Sequence, residues 1–441
     1  MKNFLKKLIP ESFILFYHKL QAILAAVRFG FPAKKMIIIG VTGTNGKTTT
    51  VNLIGSILQT AGYKTAQIST INYRLGNKIW PNLTKMTTIK SYDLQKFLKK
   101  ALDASCQYAV IETTSHAAVQ NRIWGIPYDV MVFTNLTHEH LDYHQSMTEY
   151  RDAKGQLFAN LSKSFRKPGV KKVSVVNADD PNFKYFYSFW ADKKFSYRVG
   201  GQAENQNEIV AHRVYSDVSG SKFEIETDYG DLEIRLNLPG VFNISNALAA
   251  ICVGLSQNIE LKNIKKGIES VTLVPGRMEK IDEGQDFGVI VDYAHTPDAL
   301  QKIYQTLKPL ARGKMIAVLG AAGDRDKSKR PIMGAIAGQW ADLVIITNED
   351  PYHEKPEEII EQVASGVPRG RKDKKLILGK DYFKILDRKE AILKAFQKAN
   401  RGDLVVITGK GAEKWMVVGD EKVPWDERKI VHELLCRHLR R

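Results

Sequence analysis

The feature that most restricts the fold of this chain is a short apolar run, followed by a glycine-containing turn and then by a helix. Residues 36–39 are predicted to form a buried strand that ends at Gly40. The helix after the turn is predicted from apolar residues that share one face: Val51, Leu53, Ile54, Ile57 and Leu58. It is predicted to end near Gly62. A turn with two glycines between a strand and a helix is the setting of a phosphate-binding loop.

The chemistry of the turn suits phosphate. Its residues are Gly43, Thr44, Asn45, Gly46, Lys47, Thr48 and Thr49. Glycines let backbone N–H groups approach phosphate oxygens, and the helix N-terminus favours negative charge. Lys47 is expected to reach the terminal phosphates of a nucleotide, and the Thr48 hydroxyl to bind Mg²⁺. The usual pattern has a further glycine where this chain has Val41, but the flanking strand and helix favour a nucleotide site over a chance turn.

Further apolar runs alternate with helical patterns, which predicts an α/β architecture with a parallel sheet. Before a Val-Pro-Gly break at residues 274–276, these runs are residues 108–111, 129–133 and 173–176. After the break they are residues 315–319, 343–346 and 404–407. Period-two alternation over residues 223–238 predicts a hairpin at the edge of the first sheet. The chain is therefore divided into residues 1–35, 36–276 and 277–441.

Chemically active side chains follow two of the predicted strands. Glu112 comes directly after residues 108–111, where a carboxylate can hold Mg²⁺ opposite a phosphate loop. His138, His140 and His144 follow residues 129–133. Their spacing without a nearby cysteine is poor for zinc, whereas a magnesium-phosphate site can use one imidazole. Lys154 lies in a helical stretch and, from the residues alone, is expected to be solvated.

Composition is that of a folded globular protein. A length of 441 residues suggests about three domains or two large ones. Apolar residues at 44% and charged residues at 26% exclude disordered, collagen-like and multi-span membrane classes. The net charge of +17 suits nucleic acid, anionic lipid or phosphorylated metabolites without choosing among them. Cys106, Cys252 and Cys436 match no zinc or CxxC spacing, and a reducing cytoplasm fits them.

Residues 1–35 begin with a basic stretch and continue with an apolar one, as secretion signals do. His18 and Lys19 interrupt the apolar run, and no small-residue cleavage pattern follows. Apolar residues then continue at helical spacing: Leu20, Ile23, Leu24 and Val27. This pattern predicts an amphipathic helix rather than a membrane span. The helix is expected either to dock on the next domain or to contact a membrane surface or another protein.

In their order along the chain, these motifs resemble those of the Mur ligases, and most of all the UDP-N-acetylmuramoyl-tripeptide synthetases. The resemblance covers about residues 36–435. Besides the phosphate loop, it rests on Glu112-Thr-Thr-Ser-His116 with Gln120 and Arg122, and on residues 140–144, 150–154, 240–246, 274–279, 292–297, 323–330 and 409–413.

The resemblance implies an ATP- and Mg²⁺-dependent ligase that adds the third amino acid to UDP-MurNAc-L-Ala-D-Glu in peptidoglycan precursor synthesis. The acceptor carboxylate would take the γ-phosphoryl group of ATP, and the incoming amine would displace phosphate from the acyl phosphate to form an amide. The fold implied is a P-loop central domain with a mostly parallel sheet and a C-terminal Rossmann-like domain that binds the amino acid. A cytoplasmic monomer without a nucleic-acid partner is expected.

The resemblance also implies roles for individual residues. Those for catalysis and metal binding are Lys47, Thr48, Glu112, His140 and Lys154, the last as a carbamate formed with CO₂. Those for ATP, besides the phosphate loop, are Asn243, Asn246, Arg277, Asp292 and His295. Those for the acceptor are Thr87, Thr88, Ser115, Gln120 and Arg122. Those for the amino acid are Arg325, Glu349, Asp350, Pro351, Tyr352, Gly409 and Glu413.

The turn at residues 349–352 is expected to choose the amino acid. In relatives that use meso-diaminopimelate this turn ends in an arginine, which can pair with the distal carboxylate. Here the turn ends in Tyr352 and contains the acids Glu349 and Asp350. A cationic tail without a carboxylate, as in L-lysine or L-ornithine, is therefore favoured, while meso-diaminopimelate stays open. Ala412 stands where many relatives have histidine, so this pocket is not standard.

The N-terminus departs from the family pattern. Mur ligases usually carry a separate domain that binds UDP, whereas 35 residues precede the first predicted strand here. Three alternatives are expected. The central domain and the basic helix bind UDP, or the acceptor is a different molecule, or a partner supplies the UDP-binding site.

Two other functions would account for part of these features. A folylpolyglutamate-synthetase-like ligase would share the phosphate loop, but the Arg122 segment and residues 323–330 favour the muramyl enzyme. A nucleic-acid-binding P-loop NTPase would explain the charge, but it would not require Lys154 or the pair Asn243 and Asn246.

Overall fold

The computed structural model of the chain describes residues 10–84, 86–217, 219–371 and 376–440, apart from the side chains of Glu11 and Asp142. The basic start of the predicted N-terminal segment, residues 1–9, lies outside the described residues. The described residues form two α/β units, each built on its own sheet, and a small hairpin.

The first unit is built on a sheet of eleven strands. They are β1 (Ile37–Thr42), β2 (Thr65–Ile68), β3 (Asn72–Leu75), β4 (Lys78–Pro81), β5 (Tyr108–Glu112), β6 (Val130–Phe133), β7 (Val173–Asn177), β8 (Lys193–Val199), β9 (Glu208–Asp217), β10 (Gly220–Thr227) and β11 (Gly230–Leu236). Their order is β11-β10-β9-β8-β7-β6-β1-β5-β2-β3-β4. The seven strands from β9 to β2 are parallel, and an antiparallel pair extends each edge.

Helices cover both faces of this sheet. They are α1 (Glu11–Arg28), α2 (Lys47–Thr60), α3 (Ser91–Asp103), α4 (Ser115–Val119), α5 (Leu141–His144), α6 (Met147–Lys163), α7 (Phe183–Ser188), α8 (Val241–Ser256) and α9 (Leu261–Glu269). Apolar residues of α2, α8 and α9 form the core on one face, and those of α3, α6 and α7 form the core on the other. Because both faces are buried, the central strands are continuous apolar runs rather than alternating ones.

The second unit is a smaller, doubly covered sheet of six strands. Its strands are β12 (Glu279–Lys280), β13 (Gly288–Val291), β14 (Met315–Leu319), β15 (Leu343–Ile346), β16 (Tyr382–Lys384) and β17 (Leu404–Ile407). Its helices are α10 (Pro297–Leu307), α11 (Lys329–Trp340), α12 (Pro356–Ala364), α13 (Arg388–Lys398) and α14 (Glu427–Leu439). The strand order is β12-β13-β17-β14-β15-β16, parallel except at β12, and a hairpin of β18 (Trp415–Val418) and β19 (Glu421–Pro424) follows β17.

The predicted α/β class with a mostly parallel first sheet is confirmed, and the hairpin predicted over residues 223–238 is β10–β11 at its edge. One boundary was wrong, because β1 does not end at Gly40 but continues to Thr42. A Cβ at Gly40 would lie 2.6 Å from the Met131 sulfur and 2.7 Å from the Tyr128 ring. Gly40 is therefore a packing glycine inside a strand. Val41, which stands where phosphate loops usually have glycine, is also a strand residue.

Helix α1 docks on the first unit through its small residues. Ala22, Ala25 and Ala26 are buried, and Ala26 lies beneath Gly125, where a Cβ would be 3.0 Å away. Leu20, Leu24 and Val27, which the spacing had placed on an apolar face, are exposed instead. The helix therefore has one apolar face against the protein and another facing outward.

Candidate active site

The phosphate loop lies where the central strands of the first sheet end. In the strand register, Val41 of β1 is paired with Glu112 of β5, and Thr42 with Phe133 of β6. The carboxyl ends of these three neighbouring strands thus meet at one edge, the usual ligand position in open α/β sheets. Gly46 has a φ of +84°, and a Cβ there would lie 2.2 Å from the Asn246 Oδ1 atom. Glycine is required both by this backbone conformation and by the close approach of α8.

Glu112 and Thr48 place two oxygen atoms that could bind a metal ion beside this loop. The Thr48 hydroxyl donates to Glu112 Oε2 at 3.0 Å. Thr70 donates to the same carboxylate through its backbone N–H at 2.8 Å and its hydroxyl at 3.0 Å. Glu112 is almost fully buried, and oxygen donors of this kind are what Mg²⁺ prefers. The residues present therefore fit a magnesium ion between the loop and β5.

Lys154 projects from α6 into the same place. The helix begins at the capping residue Ser146, whose hydroxyl accepts a hydrogen bond from the Glu149 N–H at 3.2 Å. Two turns later the Lys154 amine donates to the Gly43 carbonyl at 2.9 Å. Burial, together with the charge of Lys47, holds the pKa of Lys154 well below its usual value. The expectation of a solvated lysine, drawn from the residues alone, was therefore wrong, since this face of α6 packs against the sheet.

Histidines and tyrosines form a ring cluster next to Lys154. The His116 ring lies 4.7 Å from that of His140 and is stacked on that of Tyr143 at 4.3 Å. Burial, with contributions from the two neighbouring imidazoles of His140 and His144, lowers the pKa of His116 to about 3. His116 is therefore neutral at physiological pH. A neutral His116 adds no positive charge to the cluster beside Lys154.

The residues expected to bind the acceptor are connected by hydrogen bonds along one side of the loop. Arg122 donates to the Thr88 carbonyl at 3.0 Å and to Gln120. The Thr70 and Thr87 hydroxyl oxygens lie 3.0 Å apart, within hydrogen-bond distance. Thr87, Thr88 and Arg122 line the cleft. Ser115 is instead fully buried, with its hydroxyl 2.9 Å from His144 Nε2, and it does not line the cleft.

The second unit closes over the phosphate loop. The Arg277 guanidinium donates to the Thr48 hydroxyl at 3.4 Å and lies 4.4 Å above the Tyr293 ring. Asn45 of the loop donates to Asp298 at 2.8 Å. Asp292 is buried and accepts backbone N–H groups from Met278 and Ala294 at 2.7 and 2.6 Å. Burial raises the pKa of this carboxyl group.

Glu139 makes a contact across the cleft that the sequence did not reveal. Its carboxylate lies 3.3 Å from His295 Nε2 of the second unit and 3.6 Å from His140 Nε2. Burial raises the pKa of Glu139, but His140, His295 and Lys47 outweigh that effect and hold it well below the usual value. The sequence contained one signal for a role of Glu139, because it lies between two histidines in residues 138–140. Its distant partner could not be read from spacing.

The residues expected to choose the amino acid lie together at the end of the second sheet. Arg325 lies 5.3 Å from the centre of the Tyr352 ring. Glu349 is buried, burial raises its pKa, and its Oε2 atom has no hydrogen-bond partner among the described residues. Gly409 has a φ of +109°, and a Cβ there would lie 2.4 Å from that oxygen. A side chain larger than glycine would displace Glu349.

A fully buried lysine pairs with two acids of this pocket. Lys410 donates to the two carboxylate oxygens of Asp350 at 2.9 and 3.0 Å, and also to Glu413. Although burial lowers the pKa of Lys410, Glu413 and Asp350 raise it above the usual value. Asp350 also accepts the Val417 N–H at 2.7 Å, so it fastens the turn to hairpin β18–β19. Asp350 is thus compensated within the protein, and Glu349 is the acid of this turn with an unsatisfied oxygen.

Arg388 holds the two loops of this pocket in place. Its guanidinium donates to the Asn348 carbonyl at 3.2 Å and to the Thr408 carbonyl at 2.7 Å. It also pairs with Glu427, through a contact of 3.0 Å between Nε and Oε2, and both side chains are fully buried. The ion pair thus connects the start of α14 to the residues just before Glu349 and Gly409.

Replacing Glu427 with glutamine is expected to lower the free energy of unfolding by about 3–5 kcal/mol, because the Arg388 charge would stay buried without its counter-ion. Denaturation in urea, followed by circular dichroism, measures the loss. Glu433→Gln is the matched control on the same helix, where the carboxylate is about half exposed and lies 3.8 Å from Lys429; its effect should stay within about 0.5 kcal/mol. Equal unfolding midpoints for the two variants would contradict this role for Arg388.

A single cleft of about 1340 Å³ joins these groups. It is lined by the phosphate loop, by Thr87, Thr88 and Arg122, and by Arg325, Glu349 and Tyr352. A phosphate loop, buried oxygen ligands suited to Mg²⁺ and a second unit that closes over them define a P-loop nucleotide-binding protein.

Comparison with known families identifies the class more closely. Residues 41–254 match the Mur ligase middle domain, and residues 276–411 match the Mur ligase glutamate ligase domain. The chain belongs to the Mur ligase family.

Relatives of known function are similar along most of the chain. A UDP-N-acetylmuramyl-tripeptide synthetase from Roseiflexus sp. (strain RS-1) is 41% identical over 412 residues, which is 92% of this chain and 79% of that protein. A UDP-N-acetylmuramoyl-L-alanyl-D-glutamate-2,6-diaminopimelate ligase from Geobacillus thermodenitrificans is 38% identical over 424 residues, 96% of this chain and 82% of that one. The corresponding ligase from Syntrophomonas wolfei is 40% identical and covers 94% and 81%.

Solved structures agree with this family. A UDP-N-acetylmuramoyl-L-alanyl-D-glutamate-2,6-diaminopimelate ligase superposes with a TM-score of 0.61 at 30% identity, covering 92% of this chain and 79% of that one. Folylpolyglutamate synthase from Mycobacterium tuberculosis superposes with a TM-score of 0.69 at 18% identity, covering 90% and 96%. The second likeness shows a shared fold and does not support the alternative acceptor.

Proposed function

We propose that this ligase adds a diamino acid to the carboxylate of UDP-MurNAc-L-Ala-D-Glu, forming the third residue of a peptidoglycan precursor. The observation that carries the proposal is one cleft lined by the phosphate loop, by Arg122 and by the pocket around Glu349. Names of the similar proteins support the choice of acceptor. The boundaries proposed for the two main domains are residues 36–276 and 277–441.

Residues of both units divide the work in this proposal. Bound Mg-ATP supplies the phosphoryl group that turns the acceptor carboxylate into an acylating agent. The phosphate loop binds the phosphates, with Lys47 and Arg277 offsetting the charge that develops during transfer. Thr48, Glu112 and His140 hold Mg²⁺. Asn243, Asn246, Asp292 and His295 position the nucleotide, and the amine is presented from the second unit in line with the activated carboxyl group.

Lys154 is proposed to act as a carbamate. CO₂ reacts with a lysine only when its amine is neutral, and the lowered pKa of the buried Lys154 amine favours that neutral form. The reaction forms an N–C bond and releases one proton, so the neutral amine becomes an anionic carbamate. Because Gly43 and Thr48 belong to the same loop, an anion here would lie close to the proposed Mg²⁺ ligands.

The amino acid is proposed to be a diamino acid whose tail lacks a distal carboxylate. Tyr352 ends the turn and offers no guanidinium for a second carboxylate. The buried Glu349 oxygen without a partner suits an ammonium group of the substrate, and Arg325 suits its α-carboxylate. meso-Diaminopimelate is the second candidate, since several relatives that are 36–40% identical are named for it.

Phosphate release from Mg-ATP, with UDP-MurNAc-L-Ala-D-Glu as acceptor and the product mass as readout, tests this choice. L-Lysine or L-ornithine is expected to give a kcat/KM at least about tenfold above that of meso-diaminopimelate, the size of one charge-assisted contact. Tyr352→Arg is expected to shift the preference toward meso-diaminopimelate, while the matched Tyr352→Phe should keep it. A wild-type preference for meso-diaminopimelate would contradict the pocket assignment, and no product with any amine would contradict the acceptor.

The remaining partners follow from the same proposal. The enzyme is proposed to be a cytoplasmic monomer without a nucleic-acid partner, since the positive charge lining the cleft is explained by nucleotide phosphates. Residues 1–35 are proposed to contact a membrane surface or another protein outside the cleft.

A further inference from the structure

Helix α1 presents a line of large apolar side chains to solvent. Its members are Phe13, Phe16, Tyr17, Leu20, Leu24 and Val27, each between 43% and 67% exposed. Since a helix turns about 100° per residue, all six lie within an arc of about 100°. The buried Ala22, Ala25 and Ala26 lie on the opposite side. The outward face, defined by these six residues, is therefore not the face that attaches the helix to the protein.

Positive charge borders the outward face on both sides. Lys19 precedes the arc around the helix and Arg28 follows it, and both are exposed. Lys34, just beyond the helix, lies 4.5 Å over the Phe31 ring and 5.1 Å over the ring of the exposed Phe165. Residues 1–35 contain seven Lys or Arg and a single acid, Glu11. An apolar arc with aromatic side chains and cationic borders is the pattern of helices that lie in an anionic membrane surface.

The dimensions agree with a helix that lies on a bilayer rather than one that crosses it. With 18 residues, α1 is about 27 Å long. None of the helices in the described parts of the chain is long and apolar enough to cross a membrane. Long cationic side chains at the borders of the apolar arc can reach phosphate headgroups while their stems stay in the apolar layer.

Two partners could cover this face, a second copy of the chain or a lipid bilayer, and charge distinguishes between them. A second copy of the chain, packed face to face, would bring the exposed cations Lys19 and Arg28 of one helix near those of the other, and like charges at an interface oppose association. An anionic bilayer instead complements the cations and buries the apolar arc. We propose that the outward face of α1 docks the enzyme on the surface of an anionic lipid bilayer, independently of catalysis in the cleft.

Flotation of the full chain with phosphatidylglycerol or phosphatidylcholine vesicles tests the proposal. We expect at least tenfold more protein to float with phosphatidylglycerol, and binding to fall as salt is raised. Phe16→Ser combined with Leu24→Ser should reduce binding at least tenfold. Tyr215→Ser combined with Tyr229→Ser is the matched control, since it removes two exposed aromatic side chains at the far edge of the first sheet. Lys19→Glu with Arg28→Glu should also reduce binding.

Equal thermal midpoints for the variants and the wild type establish that any loss of binding is not a loss of folding. Absence of wild-type flotation, or equal flotation of Phe16→Ser/Leu24→Ser, would overturn the proposal. So would sedimentation that gives a wild-type dimer and a monomeric variant without vesicle binding, because the occupant would then be a second copy. Flotation needs no turnover, so it is independent of the proposed substrates.

Discussion

Lys154→Ala is expected to lower kcat by about a thousandfold or more, because it removes the anion proposed to complete the metal site and to orient the phosphoryl group. The change deletes a side chain that is buried and bonded to the Gly43 carbonyl. Steady-state phosphate release under saturating Mg-ATP measures kcat. Thermal unfolding of the same sample measures whether the fold survives.

Chemical rescue separates a carbamate from a purely structural lysine. Acetate or formate, supplied to Lys154→Ala, is expected to restore part of the activity, since a small carboxylate can replace the missing anion in the space that the side chain occupied. Lys163→Ala is the matched control on α6, where the lysine is exposed, and it should change neither kcat nor the response to acids. Normal turnover by Lys154→Ala would refute the carbamate.

Glu112→Gln is expected to lower kcat by about 10²–10³-fold, comparable to the loss of one electrostatic stabiliser of a transition state. It should also raise the Mg²⁺ concentration needed for half-maximal activity. The physical reason is that glutamine keeps the shape of the side chain but replaces an anionic oxygen by an NH₂ group, which cannot bind a cation. Initial rates measured across a Mg²⁺ titration give both quantities.

Thr70→Val is the control for this second prediction. It removes the hydroxyl that donates to Glu112 Oε1 at 3.0 Å but leaves the carboxylate and the backbone donor in place. We expect a loss below about tenfold, in keeping with one hydrogen bond of about 1 kcal/mol. If Glu112→Gln and the wild type showed the same Mg²⁺ dependence, Glu112 would not be a metal ligand.

Nine of the nineteen strands in the described residues could be predicted from local pattern. The runs at residues 315–319, 343–346 and 404–407 coincide with β14, β15 and β17, because a strand buried on both faces has to be apolar throughout. The phosphate loop was equally readable, since its glycines and Lys47 stand within a few residues between a strand and a helix. Gly40 was misjudged, because a glycine that ends a strand and one that admits a neighbouring side chain look alike in sequence.

The N-terminal helix was predicted from its apolar spacing, but its orientation was not. Spacing gives the apolar arc and does not tell which side meets the protein. The close approach of Ala26 to Gly125 decides that, and it leaves Leu20, Leu24 and Val27 outward. Small residues thus determine the docking, while the larger ones are available for another surface.

The sequence by itself determined the α/β class, the phosphate loop and, through the order of its motifs, the resemblance to the Mur ligases. Only the tertiary structure decided that Lys154 is buried, that Glu139 meets His295 across the cleft, and that Lys410 compensates Asp350. The physical reason is range. Periodicity and turn chemistry depend on neighbours along the chain, whereas the pKa of a buried group and the partner of a charge depend on residues that folding brings from far away.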